Sequence, residues 1–181
     1  MKRISLTIVL SLMAMLTYAQ DVTDAEISAI RTAYNDAKQQ VEINSQAQDL
    51  NVPRNDMEVI SHYVIPGSGP TEEVIHYYFT LEEDSETGTY VNRLYLITRS
   101  YNVAARKFYQ EFLFDKQEAK LLFFFQSNDA LDGTTDETRY YYGKNGTHQS
   151  IKGAVQMDEV FVARLADDLK AAFNLLMNRD Y

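Results

Sequence analysis

Three histidines, His62, His76 and His148, carry the most versatile side-chain chemistry in this chain. His62 and His76 fall in successive strand-like runs with Glu72 and Glu73 close by, and two imidazoles with a carboxylate form a donor set for a transition-metal ion. The plainer reading, that a strand histidine is a polar residue facing water, is the one adopted here. No histidine pair has the helical spacing of a zinc protease. With cysteine absent, the usual structural zinc sites and a thiol nucleophile are both excluded. Gly67-Ser68-Gly69 looks like a nucleophile turn, but the five-residue pattern is not met and a strand follows where the supporting helix belongs. Pro66 and Pro70 make it a hairpin loop. Acidic side chains gather at Glu82, Glu83, Asp84 and Glu86, and again at Asp129, Asp132, Asp136 and Glu137. Calcium is the cation such loops suit, yet Ala130 stands at the third ligand position of the second loop and Arg139 at the twelfth. Solvated turns explain both, and neither a metal nor any other cofactor is expected.

Tyrosine is the strongest compositional signal, at 13 residues with a run Tyr140-Tyr141-Tyr142. Aromatic residues are good strand formers, which accounts for most of them. The run places rings on both faces of a strand. With a two-residue Asn145-Gly146 turn, Tyr140 would oppose Ile151 and Tyr142 would oppose Gln149, leaving a polar-tipped aromatic patch suited to a sugar ring or a protein surface. Tyr140, Tyr142, Tyr95 and Tyr109 are therefore the candidate binding residues, and no catalytic residue is assigned.

The elements that must position these rings follow from periodicity. Thr23-Asp-Ala-Glu26 is a capping box, and Ile27, Ile30, Tyr34, Ala37 and Val41 recur at helical spacing with Arg31, Asp36, Lys38 and Gln40 on the other side. That helix should fade over 44–49, before Pro53. From Asp56 the period becomes strand-like, with strands at 57–65, 73–82, 89–100, 106–115, 119–127, 138–143 and 147–153 joined by short breaks. This is an antiparallel meander. A second helix runs from Met157, with Phe161, Leu165, Leu169, Ala172 and Leu176 along one face, Val160 and Phe173 widening it, and Arg179 at its C-terminal end.

The run Leu121-Leu-Phe-Phe-Phe125 is apolar on both faces, which places its strand inside the sheet. A two-residue loop at Lys116-Gln117 would set Phe114 against Ala119, Phe112 against Leu121 and Phe108 against Phe125. Phe108, Phe112, Phe114, Leu121, Phe123 and Phe125 would then share the side on which both helices lie. The opposite side would carry Tyr95, Tyr109, Leu113, Leu122 and Phe124, too apolar for a solvated face. The sheet is expected either to curl into a half-barrel there or to bind something. The fold class is α+β, a meander of six to seven strands, curved or half-barrel-like, with an N-terminal and a C-terminal helix.

Lys2 and Arg3 precede the apolar run 4–16, which ends in Thr17-Tyr18-Ala19. This is the pattern of a signal peptide over 1–19, leaving a single domain over 20–181. No later apolar run is long enough to span a bilayer, so no transmembrane segment is expected after cleavage. Loss of Lys2 and Arg3 takes the formal charge from -9 to -11. Lys and Arg number 17 against 26 acidic residues, so nucleic acid is not an expected partner. An exported chain without disulfides must be stabilised by packing and fits a bacterial periplasm or cell surface. Asn145-Gly146-Thr147 is then a turn and not a glycosylation site.

The leader end Ala19-Gln20, the segment Asn102-Val-Ala-Ala-Arg-Lys-Phe-Tyr-Gln-Glu-Phe-Leu-Phe-Asp115 and Arg139-Tyr-Tyr-Tyr-Gly-Lys-Asn-Gly146 resemble exported proteins of the Bacteroidetes type. The resemblance spans 66–153 and implies an envelope location without an activity. The expectation is a non-enzymatic periplasmic or surface-associated binding module for a protein or glycan. A carrier of an apolar ligand, with a cavity lined by Tyr95, Leu113, Leu122 and Phe124, is the alternative. A small hydrolase or metal enzyme using His62 and His76 ranks third.

Overall fold

The computed structural model describes residues 22–46, 55–83, 85, 88–129, 133–153 and 157–177. Helix α1 (Asp24–Gln46) is followed by strands β1 (Asp56–Ile65), β2 (Gly69–Glu83), β3 (Tyr90–Val103), β4 (Arg106–Phe114), β5 (Leu121–Asp129), β6 (Thr135–Tyr142) and β7 (Thr147–Lys152), then helix α2 (Glu159–Met177). Among the described residues the strands form one antiparallel sheet of seven in sequence order, with β1 and β7 at its edges. This is the α+β meander that the strand-like runs and short breaks require. The leader, Pro53, Asp84, Glu86, the loop centre Ala130 to Asp132 and Arg179 lie outside the described residues. No helix among the described residues is long and apolar enough to cross a membrane.

Both helix starts are capped from the sequence. Thr23 Oγ1 accepts from the Glu26 N–H at 3.2 Å while Glu26 Oε2 accepts from the Thr23 N–H at 2.9 Å, and Asp158 Oδ1 accepts from the Phe161 N–H at 3.1 Å. These contacts satisfy amide donors that a bare helix end leaves open.

The helices do not share a side. The C-terminal helix α2 lays Val162, Ala166, Leu169 and Phe173 against Tyr77, Phe79, Leu94, Ile97, Phe112, Phe114, Phe124 and Tyr140. The N-terminal helix α1 lays Ile30 and Ala37, with Ile27, Ala33, Tyr34 and Val41, against Tyr95, Leu96, Leu113, Phe123 and Tyr141 on the other face. The face expected to curl over or to bind is thus closed by a helix. Phe124 belongs to the α2 side, and Phe123 and Phe125 belong to the α1 side, the reverse of the expected grouping. Within α2 the docked stripe is also rotated from the expected one, because Val160 and Phe161 are 76% and 47% exposed.

Two bulges account for the exchange of faces. Leu113 pairs with Phe123 but Phe114 pairs with Leu121, so Leu122 is the extra residue. Tyr78 pairs with Leu96 but Phe79 pairs with Leu94, so Tyr95 is the extra residue on β3. An inserted residue breaks the strict alternation of side chains, and in both cases the extra side chain joins the α1 side. The hairpin loop adds to the shift. It is not a two-residue turn at Lys116-Gln117, because Asp115 Oδ1 accepts from the N–H groups of Gln117 and Glu118 and the Asp115 N–H donates to the Lys120 carbonyl. Phe112 therefore faces Phe124, and Phe108 faces Asn128. Likewise Gly143 N–H bonds the Gly146 carbonyl at 2.9 Å, so Tyr142 opposes Thr147 and Tyr140 opposes Gln149, two residues short of the expected pairing. A Cβ at Gly143 would stand 2.9 Å from Val22 Cγ1, so only glycine lets the start of α1 settle on this loop.

If both sheet faces are core, neighbouring truncations on opposite faces must both be costly. Phe123→Ala and Phe124→Ala should each lose about 3 to 5 kcal/mol in denaturant unfolding. Either variant falling within about 1 kcal/mol of the parent would mean that its face is solvated.

Candidate functional site

The α1 side carries the most concentrated chemistry. Glu111 on β4 points to this side with its side chain 2% exposed, and a buried carboxylate is tolerated only when donors replace water. It has them: the Tyr34 hydroxyl donates to Oε2 at 2.5 Å, the Tyr109 hydroxyl to Oε1 at 2.6 Å and Lys38 Nζ to Oε1 at 2.7 Å. Lys38, expected on the far side of α1, stands four residues after Tyr34 and so shares its face one turn on, where it makes this bond. Burial, and then the hydrogen bonds to Glu111, hold the Tyr34 and Tyr109 hydroxyls well above the usual tyrosine value of 10.0.

Beside this cluster a cleft of about 210 Å³ opens between α1 and strands β5 and β6, lined by Ile30, Arg31, Tyr34, Phe123, Phe125, Arg139 and Tyr141. The register makes its floor, since Phe123 pairs with Tyr141 and Phe125 with Arg139. Tyr34 meets Phe123 edge-on at 5.1 Å, and Phe123 lies 4.9 Å from Tyr141. The Arg31 guanidinium lies 5.6 Å from the Tyr141 ring centre and that of Arg139 lies 4.8 Å from Phe125. Stacked guanidiniums keep their N–H edges directed sideways, so two cations flank an aromatic cleft. Arg139 also holds Glu137 at 2.8 Å. An anionic group with an apolar flank matches this arrangement.

The four candidate tyrosines are split between the two faces. Tyr140 lies 3% exposed on the α2 side, donating to the Met157 carbonyl and accepting from Gln149 Nε2 at 2.5 Å. Tyr142 packs beside it with its hydroxyl buried and unpartnered. Tyr95 is 1% exposed on the α1 side, its hydroxyl also unpartnered and pushed up to about 12 by burial. Only Tyr109 joins the Glu111 cluster. The member of the tyrosine run that lines the cleft is Tyr141, whose alternation with Tyr140 and Tyr142 was legible while the side bearing a cleft was not.

The histidines form separate pairs. His62 Nδ1 lies 3.7 Å from Glu72, and His76 Nε2 lies 3.0 Å from Glu58. The two pairs are four residues apart along the ladder, roughly 13 Å. His148 rests 5.9 Å from the Tyr141 ring. Among the described residues no group of three or more His, Asp or Glu side chains is placed to hold a metal ion.

Two outcomes follow for the Glu111 cluster. Glu111→Ala leaves the half-exposed Lys38 ammonium free to turn to water but takes the acceptor from two partly buried hydroxyls, and should cost about 1 to 3 kcal/mol. A raised tyrosine value means that the folded state holds the phenolic proton more tightly. This stabilisation is present below about pH 10 and is lost as pH rises above it. Urea midpoints taken from pH 8 to pH 11 should fall at the alkaline end, and less steeply in a Tyr34→Phe/Tyr109→Phe variant. Equal slopes would place the alkaline loss elsewhere.

No family model matches the chain, and no match to a curated protein or a solved structure reaches significance, so the geometry of this cleft carries the functional argument alone.

Proposed function

We propose that this protein is an exported, non-enzymatic binding module that recognises a carboxylate or similar anionic group on a protein or glycan partner. The observation that carries the reading is the pair Arg31 and Arg139, each laid over an aromatic ring on either side of one cleft. On a chain of formal charge -9, two guanidiniums at one cleft stand out, although one of them, Arg139, also holds Glu137. Guanidiniums on aromatic planes supply directional donors with little rotamer freedom left to lose. The leader pattern at the N-terminus supports export, and the resemblance to Bacteroidetes exported proteins supports an envelope location.

A specific observation favours a second reading, a carrier of an apolar ligand. A groove of about 440 Å³ between α1 and the β4–β5 hairpin has an apolar floor of Tyr95, Leu113 and Leu122 with Ala33 and Ala37 opposite, and a polar rim that includes Asp36, Gln40 and Lys116. Phe124, expected in the same lining, faces α2. Mass spectrometry of protein extracted from its own host would find a copurifying lipid if this groove is the site.

The binding reading is tested on panels of acidic and neutral glycans and peptides. Retention should be confined to anionic members, and Arg31→Ala and Arg139→Ala should each weaken it about tenfold or more, equivalent to about 1.4 kcal/mol, with unfolding midpoints little changed. Retention that is indifferent to both substitutions would remove the cleft from consideration. No retention by any anion would remove the reading.

A further inference from the structure

We infer that strand β1 is a self-complementary edge through which two copies of this chain pair antiparallel about Ile60, making one continuous sheet. The argument begins with the backbone. The Asn55 carbonyl accepts from the Phe79 N–H at 3.2 Å. Alternation then turns the amides of Met57, Val59, Ser61 and Tyr63 towards β2, and those of Glu58, Ile60, His62 and Val64 away from it. The outward residues have their side chains on the α1 side of the sheet, since Met57 and Val59 pack with α2.

An edge of this kind is usually blunted by lysine, proline or a bulge. Strand β1 contains none of these, and its ladder with β2 runs from Asp56 to Ile65 without a register shift. Instead it exposes apolar surface, with Ile60 52% and Val64 71% exposed. The opposite edge, β7, is only 6 residues long and ends in Lys152.

What selects a second copy is the order of residues along β1. With the two-fold axis at Ile60, outward-facing amides meet outward-facing amides, Ile60 meets the partner's Ile60, and Glu58 meets the partner's His62 on both sides of the axis. Moving the axis to Ser61 sets Glu58 against Val64, and moving it to His62 sets two imidazoles together. The charge order also continues across the seam. Each protomer already pairs His62 with Glu72 at 3.7 Å and Glu58 with His76 at 3.0 Å. The row therefore reads Glu72, His62, the partner's Glu58, the partner's His76, alternating acid and base over four strands. Residues opposite one another in antiparallel strands share a face. Both arginine clefts then open on the same side of the assembly, and a multivalent partner would engage them together.

The chain has no cysteine, so a single introduced thiol reads the register directly. Ile60→Cys should oxidise to a disulfide-linked dimer, because opposed residues in such a pair stand about 5.5 Å apart at Cα, within disulfide reach. Val64→Cys, at a more exposed position, should not. In analytical ultracentrifugation at physiological ionic strength, where the Debye length of about 8 Å screens the net charge, the parent chain should sediment as a dimer. Ile60→Lys should weaken that dimer about tenfold or more, which is about 1.4 kcal/mol. Glu58→Lys and His62→Glu should each weaken it and the double substitution restore it, with circular dichroism confirming that every variant is folded. A parent that stays monomeric, a dimer indifferent to Ile60→Lys, or cross-linking of Val64→Cys as readily as Ile60→Cys would each overturn the inference.

Discussion

A carboxylate buried in a sheet face dictates what must lie over it, and Glu111 does this for α1. Its charge cannot remain out of water without donors, and two of the three it uses, Tyr34 and Lys38, come from successive turns of the helix. An apolar stripe alone would allow α1 to slide or rotate on the sheet, since hydrophobic contact has little direction. Hydrogen bonds to one fixed carboxylate remove that freedom. The position of α1 in turn sets the cleft, because Ile30, Arg31 and Tyr34 face Phe123, Phe125, Arg139 and Tyr141 only at this placement.

The sheet beneath is apolar on both faces because the chain brackets it with helices of opposite allegiance. In a meander of 7 strands the central strands have neighbours on both sides, so Ile97, Phe112 and Phe124 lose all solvent contact beneath α2. Leu96 and Leu113 lose it beneath α1. The two bulges serve this division. By inserting Tyr95 and Leu122 on the α1 side they add bulk where α1 presents the small residues Ala33 and Ala37. Polar residues continue the α2 side beyond the apolar patch, where Arg99 donates to Gln110 at 3.0 Å and Gln110 to Gln126 at 2.7 Å. Arg99, Gln110 and Gln126 thereby satisfy one another where water is excluded.

The proposed cleft and the proposed edge depend on these constraints differently. The cleft is a product of tertiary contact, with each arginine lying over a ring from another strand or helix. The edge is a property of one strand, since Glu58, Ile60 and His62 occupy alternate positions whichever helix covers the sheet. Both lie on the α1 side, so one face would hold partner recognition and the seam between copies.

Much of the architecture was legible in the residues. The capping box at Thr23, the helical period of Ile27 to Val41, the succession of strand-like runs and the interior position of Leu121 to Phe125 all follow from local chemistry. What they could not convey was which face each side chain joined. Side chains alternate with a period of 2, so one residue gained or lost in a turn or a bulge exchanges the faces. The Asp115-anchored turn, the extra Leu122 and the two-residue loop at Ala104-Ala105 have no glycine or asparagine signature. Ala104 adopts a φ of 53°, a conformation its side chain disfavours and that the surrounding ladder imposes. Allocation of α1 and α2 to opposite faces, burial of Tyr140, and assembly of Arg31, Arg139 and Tyr141 around one cleft depended on contacts distant in sequence. Composition by itself determined that packing rather than disulfides must hold the chain together, and that its formal net charge is negative. The tertiary structure decided where cationic side chains converge, because only closure of α1 over the paired strands brings them to a common cleft.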